Sequence, residues 1–146
     1  MKVISKNKRA YFEYHILDTY TAGIQLRGSE VKSIKNGDLN LNEAYVFIEK
    51  GEIFIRNMHV SEHKQGGRAN NHDPLRIRKL LLNKKEITTL NDKVKQKGLT
   101  IVPLSIILTD IGFIKIEIGL AKGKKIYDKK EAIKEKDMKR DLERNL

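Results

Sequence analysis

The sequence predicts a mainly β fold: a small closed β-barrel with about three helices packed outside it and a basic C-terminal tail. Three observations carry this expectation. Several short runs rich in β-branched and aromatic residues are separated by glycine and asparagine turn signals. One long helical pattern falls between the third and fourth of five or six predicted strands, with no strand–helix–strand rhythm of a parallel sheet. After the last strand the chain continues from Ala121 to Leu146 with many charges and little to bury.

In chain order, Tyr11 to Gln25 reads as one long strand or two, bent near Ala22-Gly23. Gly28-Ser29 offers a helix start, with Ser29 as the cap, Val31 and Ile34 on one face and Gly37 as the stop. Ala44–Ile48 and Ile53–Ile55 flank Glu49-Lys50-Gly51-Glu52, a hairpin pattern. A loop follows from Ser61 to His72. Asp73-Pro74 then opens the strongest helical pattern, in which Ile77, Leu80, Leu81, Ile87, Leu90 and Val94 form an apolar stripe and Gly98 closes it. Arg76, Arg78, Lys79, Lys84 and Lys85 form an opposing basic face. Leu99–Leu108 reads as a buried strand. Asp110-Ile111-Gly112 turns it into an alternating run at Phe113–Ile118, which ends at Gly119.

The expected organisation is therefore a β-barrel domain over residues 1–121 and a basic tail over 122–146, disordered alone and helical on a partner. The tail's apolar stripe is thin (Ala132, Ile133, Met138, Leu142). Like charges four apart, such as Lys130/Lys134 and Glu131/Glu135, cost about 0.2–0.5 kcal/mol each in a helix.

Composition agrees with a polyanionic partner. The chain has 146 residues, 30 Lys+Arg against 19 Asp+Glu and a formal net charge of +11, which draws it toward phosphate. Cysteine is absent, so disulfides and thiolate metal sites are excluded. The N-terminal residues carry no apolar secretion signal, and no apolar run reaches the length of a membrane span. A cytoplasmic protein with no membrane partner is expected.

Lys122-Gly123-Lys124-Lys125 concentrates three ammonium groups around a glycine, which lets a backbone approach phosphate closely. A solvated turn at a strand end explains the same residues equally well. The basic face of the long helix and Asn7-Lys8-Arg9 are, singly, ordinary solvated surface. Three such clusters on one barrel favour nucleic acid. Tyr45, Phe47 and Phe54 could stack on bases, but Tyr45 and Phe47 share one strand face, and core packing is the expected use. Tyr127 sits in the charged arm with no evident core, where base stacking or docking is a credible role. His59 and His63 with Glu62 hint at a metal pair, yet no third ligand is apparent and a surface loop is the expected reading. No catalytic constellation is recognisable, so no enzyme activity and no cofactor are expected.

Asn7-Lys8-Arg9-Ala10, Glu13-Tyr14, Gly28-Ser29-Glu30-Val31-Lys32-Ser33, His72-Asp73-Pro74, Arg78-Lys79-Leu80-Leu81-Leu82-Asn83 and Ala121-Lys122-Gly123-Lys124-Lys125 occur in this order. As an ordered set they closely resemble the SmpB family of SsrA-binding proteins, over about residues 7–136. The resemblance implies an OB-like barrel that binds the tRNA-like domain of tmRNA and accompanies it to ribosomes stalled on messages without a stop codon. It implies elongation factor Tu with GTP as a partner through tmRNA, a tail that enters the empty mRNA channel near the decoding centre, no catalysis, and a monomer when free.

For RNA binding the resemblance implies Asn7, Lys8, Arg9, Glu30, Lys32, Arg78, Lys79, Leu81, Asn83, Lys122, Lys124 and Lys125. For the decoding-centre tail it implies Tyr127, Asp128, Lys129, Lys130, Lys134 and Lys136. The chain departs from the family pattern at Thr21, where an acidic residue is common, and at Tyr127, where some relatives carry histidine. A basic ribosomal or ribosome-assembly protein is the alternative from another class. A metal-dependent nuclease using His59 and His63 is the third.

Overall fold

The computed structural model of the chain describes residues 1–62 and 71–124. The described residues form nine strands and three helices: β1 (Lys2–Lys6), α1 (Lys8–Glu13), β2 (Tyr14–Ile24), α2 (Gly28–Lys35), β3 (Leu39–Asn40), β4 (Tyr45–Glu49), β5 (Glu52–Arg56), β6 (His59–Val60), β7 (Arg78–Leu81), α3 (Lys84–Lys97), β8 (Thr100–Leu108) and β9 (Ile114–Gly123). Seven strands make one antiparallel sheet in the order β1-β8-β9-β2-β7-β5-β4, and β3 pairs with β6. The mainly β expectation with three helices holds. The sheet rolls on itself: edge strand β4 returns to the start of β8, where Val46, Phe47 and Ile48 share a cleft with Thr100 and Ile101. No backbone ladder joins β4 to β8 among the described residues.

Two cores lie on opposite faces of this sheet. The larger holds Ala22, Ile24, Ile53, Ile55, Leu80, Ile101, Ile106, Ile116 and Ile118, with Ile87 and Leu90 of α3 packed on it. The smaller holds Ala10 of α1 against Val102, Leu104 and Ala121, with Tyr14 and Ile16 beside them. Strand residues alternate faces, so Ile101 and Ile106, five apart, would oppose one another in a regular strand. A bulge between Pro103 and Ser105 resets the parity and sends both inward. A second bulge, between Ile16 and Asp18, does the same in β2. Gly119 of β9 lies under this smaller core. A Cβ there would stand 2.9 Å from Leu104 Cδ1 and 3.1 Å from Ile16 Cγ2.

Local signals explain the elements read correctly. Lys50 and Gly51 both take positive φ (50° and 77°), the twist a two-residue hairpin turn needs. Gly37 at φ 78° closes α2, with Asp38 N–H donating to Ser33 O and Gly37 N–H to Ile34 O, both at 2.9 Å.

Several expectations are corrected. The helix expected to start at Asp73-Pro74 starts at Lys84. Asp73 instead makes a turn, its carboxylate accepting from Leu75 N–H at 2.9 Å. Arg78–Leu81 is a strand because β2 and β5 flank it and hydrogen-bond to both of its edges. Residues 8–13 are helical, so Tyr11–Glu13 differ from the strand expected to begin at Tyr11, because Asn7 Oδ1 caps Ala10 N–H and Ala10 buries into the smaller core. Strand β2 is one continuous strand that pairs regularly through Ala22-Gly23 and shifts register between Ile16 and Asp18, and β9 runs past Gly119 to Gly123. Ser29 does not cap α2. Glu30 Oε1 accepts Arg27 N–H at 2.7 Å there.

Candidate nucleic-acid interface

Strand β2 organises the expected site residues into two groups. At its end, Gly23 and Ile24 pair with Leu81 and Leu80 of β7. At its start, Tyr14 and His15 pair with Gly123 and Lys122 of β9. Tyr14 and Gly23 are nine residues apart, or roughly 30 Å at about 3.3 Å per residue.

The group at the end of β2 is built on Glu30. Its carboxylate is fully buried and receives three donors: Arg27 N–H at 2.7 Å, Arg76 Nη2 at 2.6 Å, and Arg78 Nε. Arg78 is also fully buried and donates through Nη1 to Met58 O at 2.7 Å and through Nη2 to Pro74 O at 3.3 Å. Burial works to raise the Glu30 pKa, but the donors from Arg76, the Arg27 backbone and Arg78 outweigh it and hold the carboxyl below its ordinary 4.5. Glu30 faces two guanidinium groups, and the Asp73 carboxylate also acts on Arg78. Arg76, with 26% of its side chain exposed, brings its guanidinium to the surface. Beside it, Ser29 Oγ donates to His72 Nδ1 at 2.8 Å while His72 Nε2–H donates to Val60 O at 2.8 Å, which ties α2 to β6.

Two expected contact residues therefore have another place. Glu30 and Arg78 form an internal ion pair and expose no side-chain surface. Their geometry makes them the frame that positions Arg76, which the sequence placed on a basic face but the family resemblance did not name for RNA binding. Lys32 is exposed on α2. On β7, Lys79 pairs with Glu52 at 3.1 Å, and Leu81 is 47% exposed over Gly23. Leu81 thus lies on the outer face and not in the apolar stripe of a helix. Asn83 is exposed and caps α3 by accepting Glu86 N–H at 2.9 Å through its side-chain oxygen.

The group at the start of β2 gathers α1 and the end of β9. Lys8 and Lys122 are exposed. Lys124 N–H donates to Glu13 O at 2.8 Å and its Nζ to Tyr11 O at 3.3 Å. Two expected site residues have partners of their own here. Asn7 is buried, with Nδ2 donating to Pro103 O at 2.9 Å, so it serves as a junction. Arg9 donates to Glu13 at 3.1 Å and to Glu43 at 2.7 Å, so two carboxylates already answer its charge. Lys125, Tyr127, Asp128, Lys129, Lys130, Lys134, Lys136 and His63 lie outside the described residues. Among the described residues no group of three or more His, Cys, Asp or Glu side chains could hold a metal.

The aromatic expectation is also corrected. Tyr45, Phe47 and Phe54 point away from the larger core, which Val46, Ile53 and Ile55 fill from the same strands.

Comparison with known proteins gives one answer throughout. The SmpB protein family matches residues 4–146. The SsrA-binding protein of Geobacillus kaustophilus is 50% identical over 143 residues, covering 98% of this chain and 91% of its own length. That of Persephonella marina is 54% identical over 142 residues, covering 97% and 92%. A solved chain from "tmRNA-SmpB: a journey to the center of the bacterial ribosome" superposes with a TM-score of 0.70 at 45% identity, covering 88% of this chain and 93% of that one.

Proposed function

This chain belongs to the SmpB family, and from that premise we propose that it is an RNA-binding adaptor for ribosome rescue. It binds the tRNA-like domain of tmRNA and brings it to stalled ribosomes, where the nascent peptide is tagged. The observation that carries this reading is the near full-length identity to proteins named for binding SsrA. The rolled sheet works as an OB-like barrel, the chain performs no catalysis of its own, and it is a cytoplasmic monomer when free. Elongation factor Tu with GTP joins it through tmRNA.

The two groups at the ends of β2 support a division of labour. The Arg76, Lys32, Lys79, Leu81 and Asn83 group takes the RNA's tRNA-like fold. The Lys8, Lys122 and Lys124 group sits where the basic tail of residues 122–146 departs toward the ribosome's mRNA channel, with Tyr127, Asp128, Lys129 and Lys130 at the decoding centre. Phosphate neutralisation by these cations makes binding strongly salt-dependent. The test is recovery and sequencing of the RNA that co-purifies with the protein at low salt. Enrichment of tmRNA is expected; enrichment of ribosomal RNA fragments alone, without tmRNA, overturns the adaptor reading.

A further inference from the structure

Strands β4 and β5 carry three aromatic rings on the face opposite the larger core. The ladder makes them neighbours: Phe47 lies opposite Phe54, and Phe54 opposite Lys79 of β7. The Phe47 and Phe54 rings stack with centroids 5.4 Å apart at 26°, and Tyr45 leans on Phe47 at 6.1 Å and 45°. Tyr45 is 43% exposed. Val46, Ile53 and Ile55 already supply these strands' share of the core, so the outward row adds aromatic surface that the core does not call for.

Cations bracket the row. Arg56 pairs across the ladder with Tyr45 at one end, and Lys79 stands beside Phe54 at the other. Glu52 holds Lys79, and the hairpin tip carries Glu49 as well; at the other end Tyr45 shares a cleft with Glu13 and Glu43, both of which Arg9 pairs. Continuing across β7, the same face reaches Leu81.

We propose that Tyr45, Phe47 and Phe54 form a stacking platform for unpaired bases of the carried RNA, continuous with the Leu81–Asn83 edge. The proposal rests on the adaptor reading and extends its RNA surface onto the β4–β5 hairpin. Ring faces accept any base, so the platform adds affinity without sequence choice. Arg56 and Lys79 supply cationic edges to such a platform.

The chain has no tryptophan, so Tyr45→Trp installs a single reporter at the exposed end of the row. Adding the tRNA-like domain of tmRNA to this full-length variant should quench its emission. Tyr45→Ala should weaken binding on the order of tenfold with an unchanged salt slope, because no phosphate contact is lost. Tyr45→Phe should bind as the parent does. Tyr45 is exposed, so an unchanged melting temperature in Tyr45→Ala accompanies this result. An unquenched tryptophan together with parental affinity in Tyr45→Ala overturns the platform while leaving the adaptor reading intact. Failure of the parent chain itself to bind this RNA overturns both. A Tyr45→Ala defect seen with vacant ribosomes and not with the RNA also overturns the platform, and assigns the face to the ribosome.

Discussion

Glu30 accepts hydrogen bonds from three arginines without exposing any side-chain surface. Removing it would leave Arg78 as a buried, uncompensated cation, which costs far more than the net worth of the pair. Glu30→Ala should therefore destabilise the fold by about 3–5 kcal/mol, measured by urea denaturation. The same geometry sets a pH dependence. A carboxyl held below its ordinary 4.5 in the folded state contributes stability that is complete above that value and is lost as pH falls from 4.5 toward the folded-state pKa. Denaturation midpoints of the parent should fall across that acid range, and Glu30→Gln should flatten the fall. This pair was illegible from the sequence: 48 positions separate Glu30 from Arg78, and only the docking of α2 on β7 joins them.

Elements were legible where a local signal decided them. The β4–β5 hairpin, α2 with its closing glycine, and the β8–β9 pair carry their turn chemistry within a few residues. The segment 77–82 did not. Its apolar residues fit a helical period and a strand period alike, and the choice is made by β2 and β5, which offer backbone partners on both sides. The true helix start was present in Asn83 with Glu86 three residues on. Asn83→Ala should cost about 1 kcal/mol in thermal or chemical unfolding through loss of that cap. For the aromatic row, parity showed that Tyr45 and Phe47 share a face, but only the assembled core shows that this face points outward. Gly119 is likewise a tertiary requirement. With Leu104 and Ile16 already over it, Gly119→Ala should overpack the smaller core and lower stability by about 1–3 kcal/mol, read from denaturation midpoints.

At the scale of the whole molecule, the eleven-residue β2 separates two groups of residues, to which the adaptor reading gives two jobs. Cations gathered by the Glu30 frame stand at one end, and the departure point of the tail stands at the other. The lysine-rich junction was visible in the sequence as composition. Its distance from the Leu81–Asn83 edge was not, because it depends on which ends of β7 and β9 pair with β2. In the adaptor reading, the first end holds RNA without help from the tail, and the tail acts only on the ribosome. The most direct measurement is truncation before Asp128, followed by two assays: affinity for the tRNA-like domain of tmRNA, and peptide tagging on stalled ribosomes. RNA affinity should stay within about twofold of the full chain while tagging is abolished. Loss of RNA affinity, or normal tagging by the shortened chain, would contradict the account.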